Sequence, residues 1–253
     1  MFSSRKLLLL ACVVTTLFVS SHTVPAQGPS LDTAASLIDR AAAAYGRPWD
    51  TGGISDSVAD GKMTFFDSKG SKASFDFSLL RKGNTRVQRI IRQPAGDLKQ
   101  GTDGSSSWES ILGFYTPAAQ GRTLEFLESQ TSRSVPRLLN YKKESLTLRD
   151  LGMKGTEHAI EAQDAKGKRT TYFIDPERHV IAKLEVVTGQ RRDPFTGATL
   201  PETDTYVFSD NRLIEGAVTP FKIERYSNGS KTEEMQLTAV RYNTGLKDSD
   251  FHR

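Results

Sequence analysis

The pair Asn228-Gly229, set between two runs in which apolar and polar residues alternate, constrains this chain more than any other feature. Both residues tolerate positive φ, so the pair predicts a tight two-residue hairpin. The surrounding segment, Asp204 to Tyr242, reads as three strands in succession. Thr205–Phe208 runs into a turn at Ser209-Asp210-Asn211, Leu213–Tyr226 follows, and Lys231–Tyr242 returns after the Asn-Gly turn. Such a meander carries an apolar face that it cannot bury by itself, so the rest of the chain has to cover it.

Most of the remaining sequence repeats this pattern. From Ser55 the hydrophobic period is two, with strands predicted over Val58–Asp67, Ser71–Lys82, Thr85–Arg92 and Leu98–Thr102. Further strands are expected over Leu146–Leu151, Glu157–Gln163, Lys168–Ile174 and Val180–Val187, with Asp175-Pro176-Glu177-Arg178 turning between the last two. Residues 188–203 contain Gly189, Pro194, Gly197 and Pro201 and read as a long loop. Short connections between strands imply antiparallel neighbours. Helical spacing occurs in two places. Leu31, Ala34, Ile38, Ala41, Ala42 and Tyr45 mark a helix over residues 30–45, with Ser30 at its N-cap and Asp32 in its first turn. Residues 117–141, with Leu124, Leu127, Val135, Leu138 and Leu139, form a helical insertion that Pro136 kinks or divides. The expected fold is α+β and mainly β, a single antiparallel sheet of about ten or eleven strands with an N-terminal helix and a mid-chain helical insertion.

The first residues read as an address rather than as fold. Arg5 and Lys6 precede an apolar run, Leu7 to Val19, and Val24-Pro25-Ala26 supplies the small or branched residues of a cleavage site. Residues 1–26 are therefore expected to be a signal peptide and residues 27–253 one mature domain, placed in the periplasm. Cys12 after Leu9-Leu10-Ala11 loosely resembles a lipoprotein box, but so few apolar residues precede it that a small residue inside the signal core is preferred over an outer-membrane lipid anchor. It is the only cysteine, so the mature chain is expected to rely on its core without disulfides. The 34 basic residues exceed the 30 acidic ones by little, and two of them leave with the leader. The charges are interspersed, which argues against a nucleic-acid partner.

Signatures of catalysis are missing. The sequence holds no His-Glu-x-x-His, no Gly-x-Ser-x-Gly and no phosphate-binding loop. His158, His179 and His252 are widely separated, His179 is expected in solvent after a turn, and neither a metal nor a cofactor is expected. Arg191-Arg192 is expected in a solvated loop, with anionic headgroups or a partner as the functional alternative. The expectation is a non-enzyme.

Four motifs carry a family resemblance: Asp103-Gly104 before Trp108; Tyr172 to Glu177 followed by Val180–Val187; Phe208–Asp210 followed by Gly216-Ala217-Val218-Thr219-Pro220-Phe221; and Val240 to Asn243 with Asp248 to Phe251. In order and spacing they resemble the periplasmic carriers and sensors with the bacterial lipoprotein-localisation fold, over nearly the whole mature chain. The resemblance implies an incomplete antiparallel β-barrel, a single sheet curved around a hydrophobic cavity and covered by helices. It implies binding of a lipid or lipoprotein acyl chain, with sorting or transport toward the outer membrane. An interaction module or envelope-stress sensor on the same fold is the alternative, with a membrane or envelope protein as its partner, and a monomer is expected.

The implied cavity wall draws on Phe75, Phe77, Leu79, Arg81, Ile91, Trp108, Leu124, Leu127, Phe173 and Phe221. Phe75, Phe77, Leu79 and Arg81 share one parity of their strand, so that an apolar face ends in a guanidinium. The carriers have an arginine comparable to Arg81 that bonds to a helical lid. They follow it with proline, whereas Lys82-Gly83 stands here; a solvated strand-end arginine is the other reading.

Overall fold

The structure, a computed structural model, describes residues 31–46, 53–117, 121–192 and 197–252. The expected signal peptide, Cys12 and the Ser30 cap lie outside the described residues. Helix α1 (Leu31–Tyr45) leads into strands β1 (Asp56–Phe66), β2 (Lys72–Lys82), β3 (Arg86–Arg92), β4 (Leu98–Thr102), β5 (Ser107–Ile111) and β6 (Phe114–Pro117). Helices α2 (Gly121–Gln130) and α3 (Val135–Leu139) follow. The chain then runs through β7 (Thr147–Lys154), β8 (Glu157–Gln163), β9 (Arg169–Ile174), β10 (Ile181–Arg192), β11 (Thr199–Ile214), β12 (Ala217–Ser227) and β13 (Ser230–Tyr242), closing with a 3-10 turn at Asp248–Phe251.

The thirteen strands among the described residues belong to one antiparallel sheet, an open half-barrel in the order β6-β5-β4-β3-β2-β1-β13-β12-β11-β10-β9-β8-β7. Two meanders therefore meet at a central seam, where β1 pairs with β13 in a register that sets Ala59 opposite Val240. The edge strands β6 and β7 are neighbours in sequence but stand at opposite ends of the sheet. The chain between them has to cross from one edge to the other, and α2 and α3 lie in that crossing. The crossing passes over the concave face, where Phe126, Leu127 and Leu138 join the core of the sheet.

The sheet bends where extra residues interrupt its ladders. Register shifts fall at Asp60/Gly61, Val187/Gly189, Ile181/Lys183, Arg225/Tyr226 and Asp150/Gly152. Bulges of this kind increase the local twist and turn a flat sheet into a curved one. Gly61 is required at the seam, because a Cβ there would stand 2.2 Å from the Gln236 carbonyl oxygen. The concave face and the inner sides of the helices share one core, with Ile38, Met63, Phe77, Ile91, Phe126 and Ile174 nearly or wholly inaccessible. Each such side chain contributes roughly 1.5–3 kcal/mol by leaving water. Helix α1 buries Ala34, Leu37, Ile38, Ala41 and Tyr45 and packs against β7, β12 and α3, whereas α2 packs against β4 and β5.

Three expectations are corrected. The turn predicted at Ser209-Asp210-Asn211 does not form, and β11 continues through it to Ile214. Asp210 is left-handed (φ 53°), with its carboxylate held by Arg212 at 3.0 and 2.7 Å, but the register with β12 is unbroken. A two-residue reversal of type I′ needs two consecutive residues at positive φ. Glu215-Gly216 supplies them (48° and 82°), as does Asn228-Gly229 (49° and 80°) in the hairpin that the sequence signalled.

The long loop expected over residues 188–203 is mostly strand. β10 extends to Arg192 and β11 begins at Thr199, with Gly189 at a bulge and Pro201 paired to Gln190. Glycine and proline there mark an irregular ladder rather than its end. Residues 107–117 add β5 and β6, whose hairpin turns at Leu112-Gly113 (φ 51° and 82°), a leucine in a conformation that no turn signature flags. The sheet thereby reaches thirteen strands rather than ten or eleven.

Candidate functional site

The concave face divides into two regions. Under α2 it is polar and ionic. Arg225 on β12 binds Asp204 through Nε and Nη2 (3.1 and 2.5 Å), Glu233 through Nη1 (3.1 Å) and Glu125 of α2 through Nη2 (2.6 Å). Arg89 on β3 binds Gln100 Oε1 through Nε at 2.9 Å, lies 3.6 Å from Glu233, and sets its guanidinium 3.5 Å over the Phe126 ring. Gln100 in turn donates to Glu109 and to Thr123 of α2, both at 2.7 Å. Strand register explains the assembly, since Arg225 faces Glu233, Arg89 faces Gln100 and Gln100 faces Glu109 across adjacent ladders. Both guanidiniums are almost wholly buried. Burial opposes the Arg225 charge, yet Tyr206, Glu233 and Asp204 outweigh it and hold its pKa above the usual range. Burial and the neighbouring Asp204 raise Glu125. This region fastens α2 to the sheet.

Beside it, under α1 and α3, lies a cavity of about 170 Å³. Its apolar wall includes Leu139, Leu184, Phe208, Val218 and Ile223, and α1 contributes Ala42 and Tyr45. Arg81, Gln130, Ser134, Tyr206, Thr219 and Tyr242 supply polar groups. Among the described residues, no aspartate or glutamate lines it. Arg81 is only 8% exposed, and its Nη2 donates to Gln130 Oε1 at the end of α2 (2.8 Å). Burial brings its pKa down to about 10, so it stays charged at neutral pH. The Thr219 and Tyr242 hydroxyls bond to each other, and Asn140 Nδ2 donates to the Pro136 carbonyl at 3.0 Å. The cavity is only slightly larger than the engineered void of about 150 Å³ that admits benzene. In this closed state it has room for a short length of hydrocarbon, and a longer chain needs the helices to move.

Of the ten residues named from the sequence, Arg81 lines this cavity. Phe77, Leu79, Ile91, Leu127 and Phe221 are packed in the core around it, and Phe75 sits at the core margin with its ring 6.4 Å from that of Phe65. Trp108 and Phe173 occupy the opposite parity. Trp108 is buried beside Gly101 and donates from Nε1 to the Phe251 carbonyl at 3.1 Å, while Lys183 covers the Phe173 ring at 4.2 Å. Leu124 is 38% exposed, because α2 turns Thr123, Phe126, Leu127 and Gln130 inward. Tyr45, Leu139, Tyr206, Phe208, Val218 and Ile223 also line the cavity, and the sequence marks none of them as its wall. The signal for Tyr206 and Phe208 was their shared parity with Asp204, hidden by the turn expected just after them.

The three histidines among the described residues stand apart. His158 pairs with Asp150 at 2.7 Å and His252 lies 3.7 Å from Asp103. His179 is half-buried, with its Nδ1 enclosed, rather than in solvent. Arg192 lies at the end of β10 with its Nε 3.3 Å from the Gly197 carbonyl, not in a long loop.

This architecture is the fold of the lipoprotein-localisation proteins, as three solved structures make concrete. A protein described as an outer membrane lipoprotein-sorting domain, from Vibrio parahaemolyticus, aligns with a TM-score of 0.57 at 15% identity, covering 88% of this chain and 97% of its own. A DUF1329 family protein from Desulfovibrio piger gives 0.59 at 13% identity over 89% and 98%. A LolA superfamily protein from Nitrosomonas europaea gives 0.57 at 13% identity over 87% and 97%. The sequence matches no family model and no curated protein.

Proposed function

We propose that residues 27–253 form an exported, non-enzymatic binding protein that shelters an acyl chain of a lipid or lipoprotein beneath α1 and α3. The observation that carries this reading is the apolar cavity on the concave face, roofed by helices. Binding of this kind needs burial and no reacting group: each methylene taken from water contributes roughly 0.8 kcal/mol. The description of one neighbour as an outer membrane lipoprotein-sorting domain and the leader-like first 26 residues favour a periplasmic shuttle toward the outer membrane. Native mass spectrometry of the purified mature chain, before and after organic extraction, is expected to detect a co-purifying amphiphile or uptake of one. A folded chain that neither carries nor accepts any amphiphile would reject the reading.

A second reading, docking of an envelope protein, is favoured by the β5–β6 hairpin. There Ile111, Leu112 and Phe114 are 47%, 49% and 80% exposed beside an edge strand with open backbone groups. Cross-linking from position 114 in an envelope extract tests it. Recovery of no partner, together with lipid uptake, leaves the carrier reading alone.

A further inference from the structure

The cavity ends abruptly along one row of the sheet. Ile223 on β12 faces Phe208 on β11, and both line the cavity. The next pair on the same face is Arg225 with Tyr206. Tyr206 still lines the cavity, and the Arg225 guanidinium stands 5.7 Å from the centre of its ring. One step further along β11, Asp204 belongs to the ionic cluster and accepts from Arg225 Nε at 3.1 Å. Strand β10 shows the same boundary: Leu184, opposite Tyr206, lines the cavity, and Val186, opposite Asp204, is packed in the core. So does α2, where Ser129 borders the cavity and Glu125, one turn earlier, is bonded to Arg225. Arg225, Asp204 and Glu233 are almost wholly buried. Parting them to admit hydrocarbon would strand charges away from both water and partners, which costs more than the first few methylenes pushed between them would return.

We propose that this boundary measures the ligand: the cavity takes a single acyl chain, stops it at Tyr206, and selects one-chain amphiphiles over lipids with two or more chains. The inference rests on the acyl-binding reading above and narrows it by chain number and length. A void of about 150 Å³ holds the six carbons of benzene, so the cavity of about 170 Å³ takes a segment of roughly six to eight carbons. A second chain finds no room beside it. The roof adds no slack at its α1 end, because Gly46 bridges to Ala217 and a Cβ on Gly46 would stand 2.2 Å from the Gly216 carbonyl oxygen. Tyr206 acts here as a specificity-determining residue, backed by the Arg225 cluster that keeps its ring in place.

The test is calorimetric titration of the delipidated mature protein with lysophosphatidylcholines of increasing chain length, each below its micellar concentration, and with dioctanoyl phosphatidylcholine. The headgroup is then constant throughout. Affinity is expected to rise about fourfold for each added methylene up to roughly eight carbons and then to level off. The two-chain lipid is expected to bind no more tightly than its one-chain counterpart. Tyr206→Ala is expected to carry the rise on to chains several carbons longer, and Ala42→Leu, in the roof, to end it at shorter ones. Ala42 is only half-buried, so this second variant keeps the test decisive should the first fail to fold. An affinity that climbs without a break to the longest chain, a tenfold preference for the two-chain lipid, or a break that the folded variants leave in place overturns the inference while acyl binding stands. Failure of every lipid to bind overturns the acyl reading and the inference with it.

Discussion

The two arginine-bearing regions of the concave face treat their charges differently. Under α2, Arg89 and Arg225 meet Asp204, Glu233 and Glu125 in a network closed by Gln100, Glu109 and Thr123. Under α1 and α3, Arg81 binds the neutral Gln130 amide beside a mainly apolar cavity. A buried ionic cluster adds little net stability over an apolar core, but it punishes any arrangement that separates its members. The first region therefore fixes where α2 sits. The second keeps open space, a feature suited to a guest rather than to rigidity. Packing and vacancy stand side by side on one sheet because Arg89 and Arg225 lie beneath α2, whereas Arg81 sits two residues along β2 from Leu79, the residue paired with Arg89.

The contrast can be broken at several points. The largest effect is expected for Arg225→Ala, which leaves Asp204 and Glu233 buried without their shared cation. A loss of about 3–5 kcal/mol is expected from the urea midpoint at constant m, and a loss below 1 kcal/mol would put the network outside the folding unit. Arg81→Met is expected to cost about 1.5–3 kcal/mol, the range of a hydrogen bond to a charged group, concentrated at one end of α2. Hydrogen exchange should accelerate near Gln130 more than near Thr123; uniform acceleration along the helix would contradict a local fastening.

Filling the cavity with Ala42→Leu is expected to change stability by less than about 1.5 kcal/mol while weakening ligand uptake severalfold. Unaltered uptake would move the binding site elsewhere.

The smallest effect is a pH slope. Burial, with Asp204, raises the folded Glu125 pKa above its ordinary value, so the folded chain holds this proton more tightly than the unfolded one. Stability then falls as pH rises through the folded value and is recovered fully below the unfolded one. Relative to Glu125→Gln, the wild-type protein is expected to gain stability as pH drops from neutral toward the glutamate range. The difference between their urea midpoints across that interval checks the sign, and a constant or opposite difference would refute it.

Much of this molecule is readable in its side-chain periodicity. Alternation placed most strands to within a few residues, and Asn228-Gly229 announced its hairpin because both residues favour the required backbone. Leu112-Gly113 and Glu215-Gly216 turn in the same way without announcing it, since leucine and glutamate are forced into the left-handed region by their strands. The resemblance identified the fold, and the parity of β2 marked Arg81 as inward-facing. It could not separate core from cavity, because Phe77 and Arg81 share a face and only the seating of the helices decides which one borders empty space. Partners such as Glu125 for Arg225, or Gln130 for Arg81, come together across long stretches of chain, which local pattern does not encode.

The seam between β1 and β13 has a consequence for timing. Asn243 closes onto Ser55 and Gly53, and Thr244 onto Asp56, so the middle of the sheet is assembled from opposite ends of the chain. Contacts so remote in sequence slow folding. The N-terminal meander must wait, one flank unzipped, until the last strand has been delivered. A polypeptide arranged in this way reaches its full stability only once β13 is available to pair with β1.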